Sequence, residues 1–118
     1  MIKNEVIKLG ESITMRLATE KDVQDLLTLY FTIYGSNYPL LLGTDRNVML
    51  EIIKNQNNLW LVAVDDNKKN ICASAVFEVD SLYRIARAEG FVVHPDYQNH
   101  GLASKMLSYG SDFLLETT

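Results

Sequence analysis

The segment from Val93 to Ala103 has the residue types and spacing of a phosphate-binding turn. An apolar run ends at Val93, Pro95 follows in a turn, and the pattern Gln-x-x-Gly-x-Ala, from Gln98 through Gly101, opens a helical stretch. A strand, a turn and a helix N-terminus in this order bring backbone N–H groups together around an anion. Glycine at position 101 permits close approach, because a Cβ there would hold a diphosphate away from the amides. The sequence therefore predicts a diphosphate-binding cradle.

The same segment resembles a known cofactor-binding motif. Its pattern Val-x-Pro-x-Tyr-Gln-x-x-Gly-x-Ala is similar to the acetyl-CoA-binding motif of the GNAT N-acetyltransferases, whose usual form is Arg/Gln-x-x-Gly-x-Gly/Ala. The resemblance reaches back to about Ile13. It implies acetyl-CoA as the cofactor, with strand backbone pairing with the pantetheine arm and helix-start amides holding the diphosphate. The implied cofactor-binding residues are Phe91, Val92, Val93, Gln98, Asn99, His100, Gly101, Leu102, Ala103 and Ser104.

A general base is less well marked. In several members of the family a Glu on this strand, at the position of Arg87 here, deprotonates the amine through water. Glu89 lies two residues on and faces the same side by strand alternation, so we expect it to be the catalytic base. A solvated or salt-bridged carboxylate is the alternative interpretation. The tyrosine that serves many members as general acid belongs to a later region, and neither Tyr97 nor Tyr109 matches it.

Two histidines beside the motif raise the question of a metal site. His94, Asp96 and His100 are close in sequence, but they offer no fourth ligand and no recognised ligand spacing, so we expect no metal. His100 is interpreted either as a neighbour of the phosphate or as an ordinary surface residue. The single cysteine, Cys72, lies in an apolar run and is expected to be a buried structural thiol.

Composition limits the class of partner. The chain has 118 residues, 47% of them hydrophobic, and its 11 basic and 15 acidic residues give a formal net charge of −4. No basic stripe is present, so we expect no nucleic-acid partner. No apolar stretch approaches the ~20 residues that span a bilayer, so we expect no membrane partner. One cysteine fits a reducing compartment, which favours a cytoplasmic protein.

Hydrophobic periodicity predicts the element order β-α-α-β-β-β-α. The predicted strands span about residues 12–18, 59–64, 71–79 and 82–93, and the helices start after Thr19, at about 46 and at about 101. The apolar positions expected to be buried on the helices are Val23, Leu26, Leu27, Tyr30, Phe31 and Tyr34, then Val48, Ile52 and Ile53, then Met106, Leu107, Phe113 and Leu114. Gly90 predicts a bulge or a close backbone approach. Gly110 predicts a close approach of the last helix to the sheet.

This order resembles the N-terminal part of the GNAT fold. We therefore expect an α/β (α+β) fold, with a mixed, mostly antiparallel sheet flanked by helices. We also expect one domain over residues 1–118 that lacks the family's C-terminal strands. The sheet edge near Val93 would then be open, and open edges pair with other chains. A homodimer, a partner chain or further sequence of a longer enzyme would complete it.

Three functions fit these observations. The resemblance implies an N-acetyltransferase that moves an acetyl group from acetyl-CoA to a primary amine of a small molecule or peptide. A non-catalytic acyl-CoA-binding or assembly module, or a truncated fragment of a longer acetyltransferase, is the second, and Arg87 at the base position favours it. A binder of mononucleotides or other phosphates is the third. An acceptor pocket at Tyr34, Tyr38 and Leu41 is implied by the family, although core packing explains these residues equally well.

Overall fold

The fold is a single antiparallel sheet with helices on both faces, and the motif follows its last strand. The computed structural model describes residues 7–8, 12–80 and 82–117. The strands are β1 (Ile7–Lys8), β2 (Ile13–Leu17), β3 (Leu59–Asp65), β4 (Asn70–Asp80) and β5 (Ile85–Val93); the helices are α1 (Val23–Tyr34), α2 (Arg46–Lys54) and α3 (Leu102–Thr117). The strands lie in the order β1-β2-β3-β4-β5, and each neighbouring pair is antiparallel.

The two faces of the sheet carry different helices. One apolar cluster joins α1 and α2 to strand residues such as Trp60 and Val76. The other joins α3, through Leu102, Met106 and Phe113, to the opposite face. Successive strand side chains point to opposite faces, so the continuous apolar runs of β3 and β4 are buried on both sides.

Polar side chains fix where the first two helices begin. Arg16 donates to both carboxylate oxygens of Asp22, over 2.7 and 2.9 Å, and Thr19 N–H donates to Asp22 over 2.7 Å. A short 3₁₀ turn, Glu20–Asp22, therefore leads directly into α1. Asp45 caps α2, because its Oδ1 accepts from the N–H groups of Asn47 and Val48.

The predicted element order is confirmed, with one addition. The two-residue strand β1 precedes it and pairs with β2 through Ile7 opposite Met15. The last strand begins later than predicted, because Asp80 Oδ1 accepts from the N–H groups of Leu82 and Tyr83 and turns the chain there. As a result β5 starts at Ile85.

Three predicted burial positions are wrong. Phe31 and Tyr34 on α1 are 65% and 43% exposed, whereas Leu29 is buried instead. Leu107 on α3 is 44% exposed, because the buried face of this helix runs through Leu102, Met106, Gly110 and Phe113. On α2 the fully buried residue is Met49, while the three predicted positions are only half-buried.

Both glycine predictions are confirmed. On β4, Ser74 pairs with Val92 and Val76 pairs with Glu89, so two residues of β5 oppose one residue of β4 in a β-bulge. Gly90 lies in this bulge with a φ of +66°. A Cβ at Gly110 would overlap the ring of Phe77, so α3 does approach the sheet closely there.

The strand β5 forms one edge of the sheet in the described part of the chain. Across the described residues, no helix combines the length and the apolar character needed to cross a bilayer.

Candidate functional site

The end of β5 and the start of α3 enclose a cleft of about 440 Å³. Two residues from the last turn of α1, Ile33 and Tyr34, close its other side. The predicted cofactor-binding residues that line it are Phe91, Val92, Val93, Gln98, Asn99, Gly101, Leu102, Ala103 and Ser104. His100 is exposed and is not part of the lining. The fold therefore brings nine of the ten predicted positions to one cleft.

Two left-handed residues shape the loop before α3. Asn99 has a φ of +70° and Gly101 a φ of +74°. Asparagine and glycine tolerate this conformation better than other residues. A Cβ placed on Gly101 would meet no atom within 4 Å, so the space above the loop is open. The first-turn amides of α3 have no partner within the helix and lie at its positive end.

Among the described residues, those that line the cleft include no lysine or arginine. Gln98, at the position where the family often has Arg, uses its Nε2 to donate to the carbonyl oxygen of Val93 over 3.2 Å. Its side chain thereby closes the turn onto the end of β5. Attraction for an anion must therefore come from backbone amides and the helix terminus.

Tyr97 joins the loop to the far end of β3. Its hydroxyl donates a hydrogen bond to Asp65 Oδ2, while Asp65 Oδ1 accepts from the N–H groups of Asn67 and Lys68 in the β3–β4 turn. The hydrogen bond from Tyr97 lowers the pKa of Asp65, and the same bond raises the pKa of Tyr97. Tyr97 also lines the cleft, a role that its place in the motif did not indicate.

Glu89 lies on the α1 and α2 face of the sheet, opposite Val76. Burial raises its pKa, and so do a hydrogen bond with Glu78 and the charge of that carboxylate, while Arg87 opposes the shift. Arg87 itself pairs with Glu78 over 3.1 Å. The alternative interpretation of Glu89 as a salt-bridged carboxylate is not met by this pair, because Arg87 bridges to Glu78 instead. Glu89 is half-buried beside an acidic neighbour, the environment that makes a carboxylate a better proton acceptor.

Tyrosines from α1 and the following loop lie near Glu89. The ring of Tyr38 packs between those of Tyr30 and Tyr34, with centroid distances of 5.1 and 4.7 Å. Burial, together with Tyr34 and Glu89, raises the pKa of Tyr38 to about 12. Leu41 is 62% exposed, so core packing does not account for it.

The remaining reactive side chains have structural surroundings. His94 Nδ1 accepts from the N–H of Asp96 over 3.1 Å and stabilises the turn. Among the described residues, no three His, Cys, Asp or Glu side chains are grouped as metal ligands. Cys72 is fully buried, and burial raises the pKa of its thiol to about 11, so it is a structural thiol as expected.

Besides Tyr97, two further lining residues, Ile33 and Tyr34, were not predicted from the sequence to belong to the cofactor cleft. They lie on α1, more than fifty residues before the motif, and only the packing of α1 against β5 brings them there.

Proteins of known structure share this architecture. Among curated protein sequences, none matched this chain. An acetyltransferase of the GNAT family from Staphylococcus aureus superposes with a TM-score of 0.73 and 16% identity, covering 90% of this chain and 68% of that one. A ribosomal-protein alanine acetyltransferase from Vibrio fischeri gives 0.72 and 13%, covering 96% and 68%. An aminoglycoside 6′-N-acetyltransferase from Acinetobacter baumannii gives 0.67 and 18%, covering 86% and 70%.

These structures share the fold, which confirms the predicted GNAT-like arrangement. The sequence profile described as "Acetyltransferase (GNAT) family" matches residues 21–117, which is most of the chain. That match includes α1, the bulged strand and the whole cleft. The chain belongs to the GNAT acetyltransferase family.

Proposed function

We propose that this protein transfers an acetyl group from acetyl-CoA to a primary amine. The observation that carries the proposal is the cleft itself, where nine of the ten predicted cofactor-binding residues meet at the end of β5 and the N-terminus of α3. Membership of an acetyltransferase family supports it. The finer points, which are the cofactor, the base and the kind of amine, are part of the proposal.

The cleft suits an extended phosphate-bearing cofactor. The open space at Gly101 and the free amides of Leu102, Ala103 and Ser104 fit a diphosphate, which needs donors and no obstructing Cβ. Backbone groups of Phe91, Val92 and Val93 would then hold the pantetheine arm. Bound acetyl-CoA supplies an acetyl group already activated as a thioester.

The protein's own contribution is orientation and proton transfer. With acetyl-CoA bound, a backbone N–H of β5 would donate to the carbonyl oxygen of the thioester, which is the kind of contact that stabilises developing negative charge. Glu89 takes the proton from the amine, directly or through a water, because burial and Glu78 hold its pKa above the ordinary range. Tyr34 and Tyr38 form the wall that the acceptor meets.

Two assays test this proposal together. Calorimetric titration with acetyl-CoA measures binding, and release of free CoA thiol measures turnover with a defined panel of amines. The neighbours' names suggest the first two, a peptide with an N-terminal alanine and an aminoglycoside. Binding with turnover supports the transferase. Binding without turnover over the whole panel would establish the acyl-CoA-binding module, and displacement of acetyl-CoA by equimolar ATP would favour the general phosphate binder.

We also propose that the edge of β5 pairs with a second copy of this chain. A groove of about 360 Å³ lies beside the start of β5, at the opposite end of the strand from Val93, and is lined mostly by apolar residues such as Phe77, Ile85 and Leu114, together with Arg84 and Ser111. Ile85 is 55% exposed, and exposed apolar edges favour strand pairing. Light scattering across a concentration series should show a dimer, and a monomer at every concentration would rule this out.

A further inference from the structure

The bulge in β5 has a dedicated partner on α1. Between the pairs Ser74–Val92 and Val76–Glu89, the extra residue breaks the ladder of hydrogen bonds with β4. The carbonyl oxygen of Gly90 lies in this gap and accepts a hydrogen bond from the hydroxyl of Tyr30 over 2.7 Å. Phe91 and Val92, the next two residues, line the cofactor cleft.

Tyr30 is the end of a chain of three buried donors. Trp60 Nε1 donates to Ser74 Oγ over 2.8 Å, and Ser74 Oγ lies 3.1 Å from the Tyr30 hydroxyl. The exposed fractions of Tyr30, Trp60 and Ser74 are 0%, 3% and 1%. Indole is only a donor, and Tyr30 uses its single proton on Gly90, so Ser74 must donate to Tyr30. Every proton in the chain therefore points toward the bulge.

Packing leaves the bulge little freedom to move. A Cβ on Gly90 would lie 2.9 Å from Leu42 Cδ1 and 3.1 Å from the Tyr30 hydroxyl oxygen. The positive φ of Gly90 also favours glycine at this position. Burial raises the pKa of Tyr30, so the hydroxyl keeps its proton and remains a donor at neutral pH.

We propose that Tyr30 is a positioning residue for acetyl transfer: through the carbonyl of Gly90 it fixes the bulge, and so sets the direction of the Phe91 and Val92 backbone groups that face the cleft. This inference rests on the proposed function. Tyr30 touches neither cofactor nor acceptor in this scheme. It acts only through the strand that the cofactor meets.

The first test measures the bulge without any reaction. Tyr30→Phe keeps the ring and removes only the hydroxyl, and amide hydrogen exchange by NMR reports on Phe91 and Val92. Met49→Ala is the control for lost buried packing, because Met49 is fully buried on α2 and its side chain has no hydroxyl or other strong hydrogen-bonding group. Exchange at Phe91 and Val92 should rise roughly tenfold or more in Tyr30→Phe relative to this control. Equal exchange in the two variants would overturn the inference, whatever the activity.

The second test separates positioning from binding. Tyr30→Phe should lower kcat by roughly tenfold to a hundredfold, because small misplacements of reacting groups have effects of that size. The Kd for CoA should stay within about threefold, since the diphosphate cradle lies at the far end of the cleft. Met49→Ala should leave both constants near the wild-type values. A parallel loss of CoA affinity, or an unchanged kcat, would contradict a positioning role.

Ser74→Ala tests the series of hydrogen bonds that runs from Trp60 through Ser74 to Tyr30. If Ser74 acts through Tyr30, the double variant Tyr30→Phe/Ser74→Ala should lower kcat no further than Tyr30→Phe alone. Fully additive effects would show that Ser74 acts by another route and that the chain does not transmit orientation. A wild type that neither binds CoA nor turns over an amine overturns the proposed function and the kinetic role with it. The exchange measurement then still decides whether Tyr30 holds the bulge.

Discussion

Gly101→Ala separates backbone strain from anion binding in the cradle. The residue has a φ of +74°, and a Cβ on it would meet no atom within 4 Å. The substitution therefore costs only the left-handed conformation, about 1–2 kcal/mol. For a domain of 118 residues each kcal/mol lowers Tm by roughly 4 °C. The variant should therefore fold, with a Tm only modestly below that of the wild type.

The effect on CoA affinity should be larger than this strain. A methyl group added at Gly101 would occupy open space beside the loop, and in the proposed binding mode it would hold the diphosphate away from at least one amide of Leu102, Ala103 and Ser104. A hydrogen bond to a charged group contributes about 1.5–3 kcal/mol. Losing one corresponds to a rise in Kd of roughly tenfold to 150-fold.

Gly35→Ala is the matched control. Gly35 has a φ of +62°, and its Cβ would also meet nothing within 4 Å. It lies at the end of α1 and does not line the cofactor cleft. Its stability loss should be at least as large, about 1–3 kcal/mol. Its Kd for CoA, measured by the same calorimetric titration, should be that of the wild type. Wild-type affinity for CoA in both variants would refute the cradle. The same loss of affinity in both variants would show that lower stability, and not a blocked cradle, weakens CoA binding.

Three further predictions concern single side chains. Glu89→Gln should lower kcat/KM by about 10²–10⁴ and remove the part of its rise with pH that Glu89 contributes, seen in a pH–rate profile, because Glu89 must be deprotonated to accept a proton and burial raises its pKa. Burial alone would raise the pKa of Asp22, but hydrogen bonds from Arg16 and Thr19 lower it. Asp22→Asn should therefore lower the free energy of unfolding, measured in urea at pH 7, by about 1–3 kcal/mol. This difference between variant and wild type should vanish as pH falls through the lowered pKa of Asp22. Gly110→Ala should destabilise by about 1–3 kcal/mol in thermal melts, and a smaller residue at Phe77 should relieve it.

The parts of the fold that depend on local sequence were predictable. The strand–turn–helix at the cradle is encoded within one short segment, where Pro95 and Gly101 mark the turn and the helix start. Helix caps such as Asp45 are equally local. These features could be predicted because a few neighbouring residues determine the backbone geometry there.

The errors have one physical cause, which is that burial depends on distant partners. Leu107 fits an apolar pattern, but the close contact of Gly110 with Phe77 sets the rotation of α3 and leaves Leu107 in solvent. Tyr30 and Gly90 are sixty positions apart, and no local pattern announces their hydrogen bond. The strand β1 has only two residues, too few for any periodicity.

The bulge links the predictable and the unpredictable parts of the site. In a regular strand Glu89 and Val92, three residues apart, would point to opposite faces of the sheet. The extra residue at the bulge places both on the face that packs against α1 and α2, since their partners Val76 and Ser74 share that face. Phe91 meanwhile packs against the cluster of α3. One inserted residue thus places Glu89 on the same face as the tyrosines of α1, while Phe91 and Val92 line the cofactor cleft. Because Tyr30 holds this bulge from α1, it bears on both the base and the cofactor.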